Sequence, residues 1–337
     1  MTTETFPTPY SRLNPEMTAR TRRRLEEAKP TKTQHAIEYV LFAVFGTTIL
    51  IAAVALIITN SATFRHVPNR VAQGIAADRV NILLLQTYTA PRTNAADTDA
   101  LMLLSVKPST HEVALTSIPR DLWVRLGKYG QRRLGMAPIV ASSAGYPGDG
   151  PGLTADTIEN VFGQPVHAYI RLDRHDLLKA ISDAGGIDIN VAQPIYEYGR
   201  RERYERGPHH LSGQRALRYA FSPFVVGPGA DRFAREARQE QVIAALIAKA
   251  TTTGNAARIA SVVAGDHSNL EPSQASWLVS TINTREPRRV TLAPYMDTFE
   301  VATFADEGEA VRPHNGDYRP LRALVANVFT PTALTSQ

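Results

Sequence analysis

Arginine supplies most of the side chains in this sequence that could do chemistry. Arg232, Arg235, Arg238 and Gln239 fall in the stretch RFAREARQ, and residues three and four apart share one face of a helix. Guanidinium groups on one face make an array of forks suited to phosphate oxygens. The same spacing also fits a solvated face with Glu236 and Glu240 as partners. A second candidate is Ser117-Ile118-Pro119-Arg120-Asp121. Pro119 cannot extend a central ladder, so Arg120 and Asp121 sit where a strand gives way to a loop. That is a common place for a site and for a surface Arg–Asp pair. A third is Asp97-Thr98-Asp99, just before an apolar strand. Two carboxylates so placed can help bind Mg²⁺, which takes a few carboxylates plus substrate phosphates; they equally make a strand-entry turn. His209 and His210 are neighbours in a loop and read as solvated rather than as ligands.

Composition narrows the classes. The chain has 337 residues, 43% hydrophobic and 20% charged, with 22 Pro and 21 Gly, which excludes a collagen-like or wholly disordered chain. No cysteine is present, so thiolate nucleophiles, disulfides and Cys-ligated metal sites are excluded. A net charge of +5 suits phosphates or an anionic membrane surface without proving either.

The elements that must position these residues follow an α/β pattern. Tyr39 to Thr59 carries no charge over 21 residues, long enough to cross a hydrocarbon core of about 30 Å. Arg20, Arg22, Arg23, Arg24, Lys29 and Lys32 precede it, and Arg65, Arg70 and Arg79 follow. The basic excess predicts a cytoplasmic N-terminus and an extracytoplasmic remainder. The Arg run could also contact nucleic acid, but stop-transfer explains it with fewer assumptions, and no nucleic-acid partner is expected. Strands are predicted at Val80–Leu85, Ala100–Val106, Val113–Ile118, Val166–Leu172, Ile187–Val191 and Val290–Ala293. Helices are predicted at Gly152–Phe162, Asp173–Ala184, Ser212–Phe221, Arg232–Lys249, Glu271–Ile282 and Leu321–Phe329. Gly185-Gly186 suits a left-handed helix stop. The expected architecture is a mixed sheet covered by helices, preceded by one transmembrane helix.

Three stretches, in order, carry a family resemblance. They are TDALMLLSVKP (98–108) running on to LTSIPRDLWV (115–124), AGGIDINV (184–191), and HLSGQRALRY (210–219) with REARQ (235–239) following. Together they resemble the LytR-CpsA-Psr family of cell-wall glycopolymer ligases over roughly residues 80–255. The resemblance implies an extracytoplasmic α/β domain with an apolar pocket for a polyprenyl pyrophosphate. It also implies phosphotransfer of a lipid-linked glycan to a hydroxyl of peptidoglycan or another wall polymer, with Mg²⁺ as cofactor. By resemblance Asp99 matches the metal-side aspartate, with Asp97 beside it, and Arg120 and Asp121 match the S-I-P-R-D pair. Arg235, Arg238 and Gln239 match R-x-x-R-Q. The expected organisation is a disordered cytoplasmic tail 1–37, a membrane helix 38–60, a linker 61–78, a catalytic domain 79–255, and a continuation or small extension 256–337.

The sequence departs from the family pattern at defined places. Where the family has G-x-D-x-R, residues 86–92 read QTYTAPR, which leaves only Arg92. Ala100 replaces the residue after the metal-side Asp, and K-x-N reads Arg133-Leu134-Gly135. Y-x-R-x-R reads Tyr219-Ala220-Phe221-Ser222-Pro223, without either arginine, and Arg232 stands where an acid is expected. Arg132, Arg133, Arg218 and Arg232 are the candidates to compensate. Two functions stay open: a phosphotransferase with a remodelled site, or a polyprenyl-phosphate-binding or wall-scaffold protein without catalysis.

Overall fold

The computed structural model describes residues 69–89, 96–146, 149–230, 232–252, 268–282, 286–290, 299–304 and 308–330. The chain divides into units Met1–Ser61 and Ala62–Gln337, and every described residue lies in the second. The tail, the expected membrane helix at 38–60 and Arg92 therefore lie outside the described residues. Among the described residues no helix is long and apolar enough to cross a membrane.

The strands are β1 Val80–Thr89, β2 Ala96–Lys107, β3 Glu112–Ile118, β4 Trp123–Arg125, β5 Gln131–Arg133, β6 Ala168–Asp173 and β7 Ile187–Val191, then β8 Ile195–Glu197, β9 Glu202–Tyr204, β10 Gly207–Leu211, β11 Val225–Val226, β12 Arg288–Val290, β13 Phe299–Phe304 and β14 Gly308–Pro313. The helices are α1 Val71–Ala76, α2 Ala137–Ala144, α3 Asp149–Phe162, α4 Arg174–Asp183, α5 Gly213–Phe221, α6 Arg232–Thr252, α7 Pro272–Thr281 and α8 Arg319–Ala326. Part of the expected linker, Val71–Ala76, is thus helical.

The central sheet has the order β12-β3-β2-β1-β6. β2 runs antiparallel to both β1 and β3, while β6 is parallel to β1 and β12 parallel to β3. It is a mixed sheet, and its strands alternate in a way that buries both faces. Val80, Ile82, Met102 and Leu104 face one core, where Leu177 of α4, Ala216 of α5, Val242 of α6 and Leu278 of α7 cover them. Leu83, Leu85, Leu101 and Leu103 face the other, against Ala141 of α2, Ile158 of α3 and Val325 of α8. The result is three layers, helix–sheet–helix, each core one set of alternate strand residues.

Local chemistry sets the ends. Gly185 and Gly186 adopt φ of 75° and 91° after α4, a conformation glycine takes without a Cβ penalty. α4 begins on a capping box in which Asp173 and Asp176 each accept the other's backbone N–H. Three boundaries differ from expectation. Asp97 to Asp99 lie inside β2 rather than ahead of it, because β1 and β2 pair on to Thr89 and Ala96. α3 starts three residues early, at Asp149. β12 begins two residues early, at Arg288, and residues 291–298 lie outside the description.

Candidate functional site

β1, β3 and β6 run in the same direction and end together, at Thr89, Ile118 and Asp173. Ligands of open α/β sheets sit beyond such carboxyl ends. A cavity of about 610 Å³ lies there, lined by Thr87, Asp99, Arg120, Arg174, Phe224 and Arg235 among others.

Asp99 is its centre, and a defect in the ladder aims it. Gln86 pairs with Ala100 and Thr87 with Thr98, so Asp99 has no partner and forms a bulge. Bulges bend a strand and re-aim a side chain beside sites. The Asp99 side chain is only 3% exposed, yet three guanidinium groups reach it. Arg174 Nη2 donates to Oδ2 at 2.5 Å, and Arg235 Nη2 to Oδ1 at 2.6 Å. Arg120 Nη1 lies 3.5 Å from Oδ1 and donates to the Thr98 carbonyl at 3.1 Å. Three guanidinium groups thus share one carboxylate, while Asp173 also lines the cavity.

Each arginine comes from a different element. Arg120 follows β3, where Pro119 ends the ladder. Its turn is pinned by Leu134 N–H to the Leu122 carbonyl and Gly135 N–H to the Arg120 carbonyl, at 2.8 and 2.7 Å. Gly135 suits that approach, since a Cβ there would come a tight 3.2 Å from both the Arg120 Cβ and its carbonyl oxygen. Arg235 projects from α6, whose Gln239 also reaches toward the Asp99 carbonyl at 3.4 Å. Arg174 is the first residue of α4, so the helix N-terminus and its partial positive charge face the same cavity.

The remaining expected residues divide. Arg238 is buried and points away, with Nε donating to the Tyr219 carbonyl at 2.8 Å and Nη1 to that of Gly229. It ties α6 to the end of α5 and is not among the side chains that line the cavity. Arg133 approaches Asp121 at 3.4 Å, and Arg120 Nε lies 4.0 Å from the same carboxylate. Asp121 is therefore placed behind Arg120, orienting it, rather than in the cavity. Arg218 makes a two-pronged pair with Glu202 at 2.5 and 3.0 Å and holds that carboxyl below its usual range. It lines an adjoining groove with Arg200 and Glu197. The side chains of Arg232 and Asp97 lie outside the description.

The family profile described as the LytR_cpsA_psr family matches residues 55–271. The chain belongs to that family. A polyisoprenyl-teichoic acid–peptidoglycan teichoic acid transferase, TagU of Oceanobacillus iheyensis, is 30% identical over 175 residues, 52% of each chain. The chain thus spans about half the length of the curated relatives it matches. Bacillus subtilis TagV shares the fold, with a TM-score of 0.58 and 21% identity over 76% of this chain and 99% of that one. So does the family protein YwtF (TagT) with bound octaprenyl pyrophosphate lipid, at a TM-score of 0.54 and 19% identity, covering 74% and 90%.

Within this LytR_cpsA_psr member, Arg174 is the residue sequence reasoning passed over. It matches none of the three quoted stretches. The signal for it was positional: it is the first residue after a parallel strand and opens a helix, where anions gather. Both Oδ atoms of Asp99 accept from guanidinium groups, and the side chain of Asp97, the other carboxylate expected to face a magnesium ion, lies outside the described residues.

Proposed function

We propose that this chain transfers a glycopolymer phosphate from a polyprenyl pyrophosphate lipid to a hydroxyl of peptidoglycan or another wall polymer, outside the membrane that anchors it. The observation that carries this reading is the convergence of Arg120, Arg174 and Arg235 on one buried carboxylate. The naming of related proteins as teichoic acid transferases supports it. The acceptor oxygen attacks the phosphorus that bears the glycan and forms a new phosphodiester. The P–O bond to the lipid phosphate breaks, and the hydroxyl proton ends on the departing polyprenyl phosphate. Such a step needs positioning and charge neutralisation more than covalent help. Arginines stay charged at any relevant pH, and three of them, gathered around Asp99, counter the charge of the pyrophosphate.

Arg174 stands in for the two arginines missing from residues 219–223. Its Nη2 lies 3.5 Å from the Phe221 carbonyl, so its charge occupies the region that those positions frame. The second reading, a lipid binder without turnover, draws on Pro223 and Phe224, which place apolar surface on the cavity wall. One assay separates the two: release of polyprenyl monophosphate from a lipid-linked donor by the full chain in detergent. Arg120→Ala and Arg174→Ala are each expected to lower turnover by about 10²–10³, the usual cost of one preorganised donor. Turnover by the native chain no faster than by these variants, with the lipid still bound, would establish the binder instead.

A further inference from the structure

Beside the cavity lies a small sheet whose outer face has the wrong polarity for water. β8 pairs with β9 and β11, setting Tyr196 opposite both Arg203 and Val226. Strand alternation turns Ile195, Glu197 and Tyr204 inward, where all three are buried. The other face then carries Tyr196 and Val226, extended by Tyr198 and Phe224 one strand period further on. Tyr198 N–H donates to the Phe224 carbonyl at 3.0 Å, and their rings meet edge-on at 5.5 Å. Such an outward face is normally polar. Here Tyr198, Phe224 and Val226 are 51, 50 and 49% exposed. They are three of the five large hydrophobic side chains exposed among the described residues.

The rim is basic. Arg200, Arg201, Arg203 and Arg206 are all exposed around the β8–β9 turn, against an exposed Glu205. Glu202 is already occupied by Arg218. The Arg203 guanidinium lies over the Tyr196 ring at 5.5 Å. Aromatic rings flanked by cations are the composition of the membrane–water interface, where the rings sit at headgroup level and the cations meet anionic lipid. Phe224 also lines the arginine cavity, so the patch and the mouth of the site share a side chain.

We infer that the outer face of β8, β9 and β11 docks on an anionic bilayer surface and brings the arginine cavity to the depth of the lipid phosphates. The inference deepens the proposed lipid-donor function and rests on it for its purpose. A pyrophosphate at headgroup level enters the cavity without leaving the membrane plane only if the mouth lies there. Four exposed arginines and an aromatic–aliphatic face fit anionic lipid better than an acidic protein, which would pair the charges but leave the rings in water.

The chain has no cysteine, so one introduced residue gives a unique label. Phe224→Cys in the full chain, carrying an environment-sensitive fluorophore, is placed in nanodiscs with and without phosphatidylglycerol. The expected result is a several-fold lower quenching constant for acrylamide in the anionic discs, with quenching by nitroxide-bearing lipid. Reversing Arg200, Arg201 and Arg203 to Glu together should abolish both. A label at Val301→Cys, native exposure 61% on β13, should stay open to acrylamide throughout. Equal acrylamide access at 224 and 301 in both discs would overturn the inference. Protection at 224 that survives the charge reversal would also overturn it, and would assign the face to a protein partner or a second copy. No donor lipid is used, so failure here leaves the transfer reading standing, and failure of transfer leaves this result readable.

Discussion

Two buried carboxylates meet the helix α6, Asp99 facing it from β2 and Glu240 carried on it, and they fare differently. Asp99 is 4% exposed and meets Arg120, Arg174 and Arg235. Glu240, on α6 next to Gln239, is 2% exposed and accepts the Val290 backbone N–H at 2.9 Å. Among the described residues no ion pair reaches it, and burial pushes its pKa from 4.5 up to about 8 against the opposing charge of Arg289. Burial alone therefore makes an acid neutral at ordinary pH. Burial with several cations makes a charged organising centre. The contrast separates an acid that serves packing from one that shapes a site.

The largest expected break in that contrast is Asp99→Ala. It strips the shared acceptor from three guanidinium groups, and breaking a buried ion pair on one side costs on the order of 3 kcal/mol. Urea denaturation of the full chain reads it, and an unchanged midpoint would show that the three arginines do not depend on Asp99. A smaller effect concerns metal. Since Asp99 spends both oxygens on arginine, binding of a short-chain polyprenyl pyrophosphate should change less than about threefold between EDTA and millimolar Mg²⁺, by calorimetry. A tenfold gain with Mg²⁺, about 1.4 kcal/mol, would restore the metal that the family resemblance implies.

The smallest effect sharpens the Glu240 side. Its raised pKa means that folding takes up a proton between pH 4.5 and about 8. The associated stability is present at low pH and falls as pH rises through that window. His167 works in the opposite sense. Burial lowers its pKa from 6.5 to about 4, so its contribution is lost as pH falls through that range. Above pH 6.5 only the Glu240 slope remains of the two. Thermal melts of the native chain should fall between pH 6.5 and 8, and those of Glu240→Gln should be flatter. Parallel slopes for the two proteins would locate the proton elsewhere.

Much of the sheet was legible because its signals are local. The apolar runs at 80–85, 100–106 and 113–118 became β1, β2 and β3, and Pro119 ended β3 where ladder chemistry requires it. The short strands β4, β5, β8, β9 and β11 escaped notice, since two or three residues carry too little periodicity, and the longer β10, β13 and β14 escaped too, with His209 and His210 paired in β10 where a loop was expected. In the site, Arg120 and Arg235 were singled out by the family motifs S-I-P-R-D and R-x-x-R-Q, since type and spacing alone fit a surface Arg–Asp pair and a solvated helix face equally. Arg238 was not, because its helix face looks the same whether it meets phosphate or the Tyr219 and Gly229 carbonyls. Arg174 was invisible in any linear motif, 75 residues from the carboxylate it holds.

The order of residues alone decided the class of chemistry: no thiols, many arginines, and strand and helix periods that demand a covered sheet. Which arginines share a carboxylate was decided only by folding. That choice depends on a bulge displacing Asp99, and on three strands ending at one edge so that elements distant in sequence deliver their guanidinium groups to a single point.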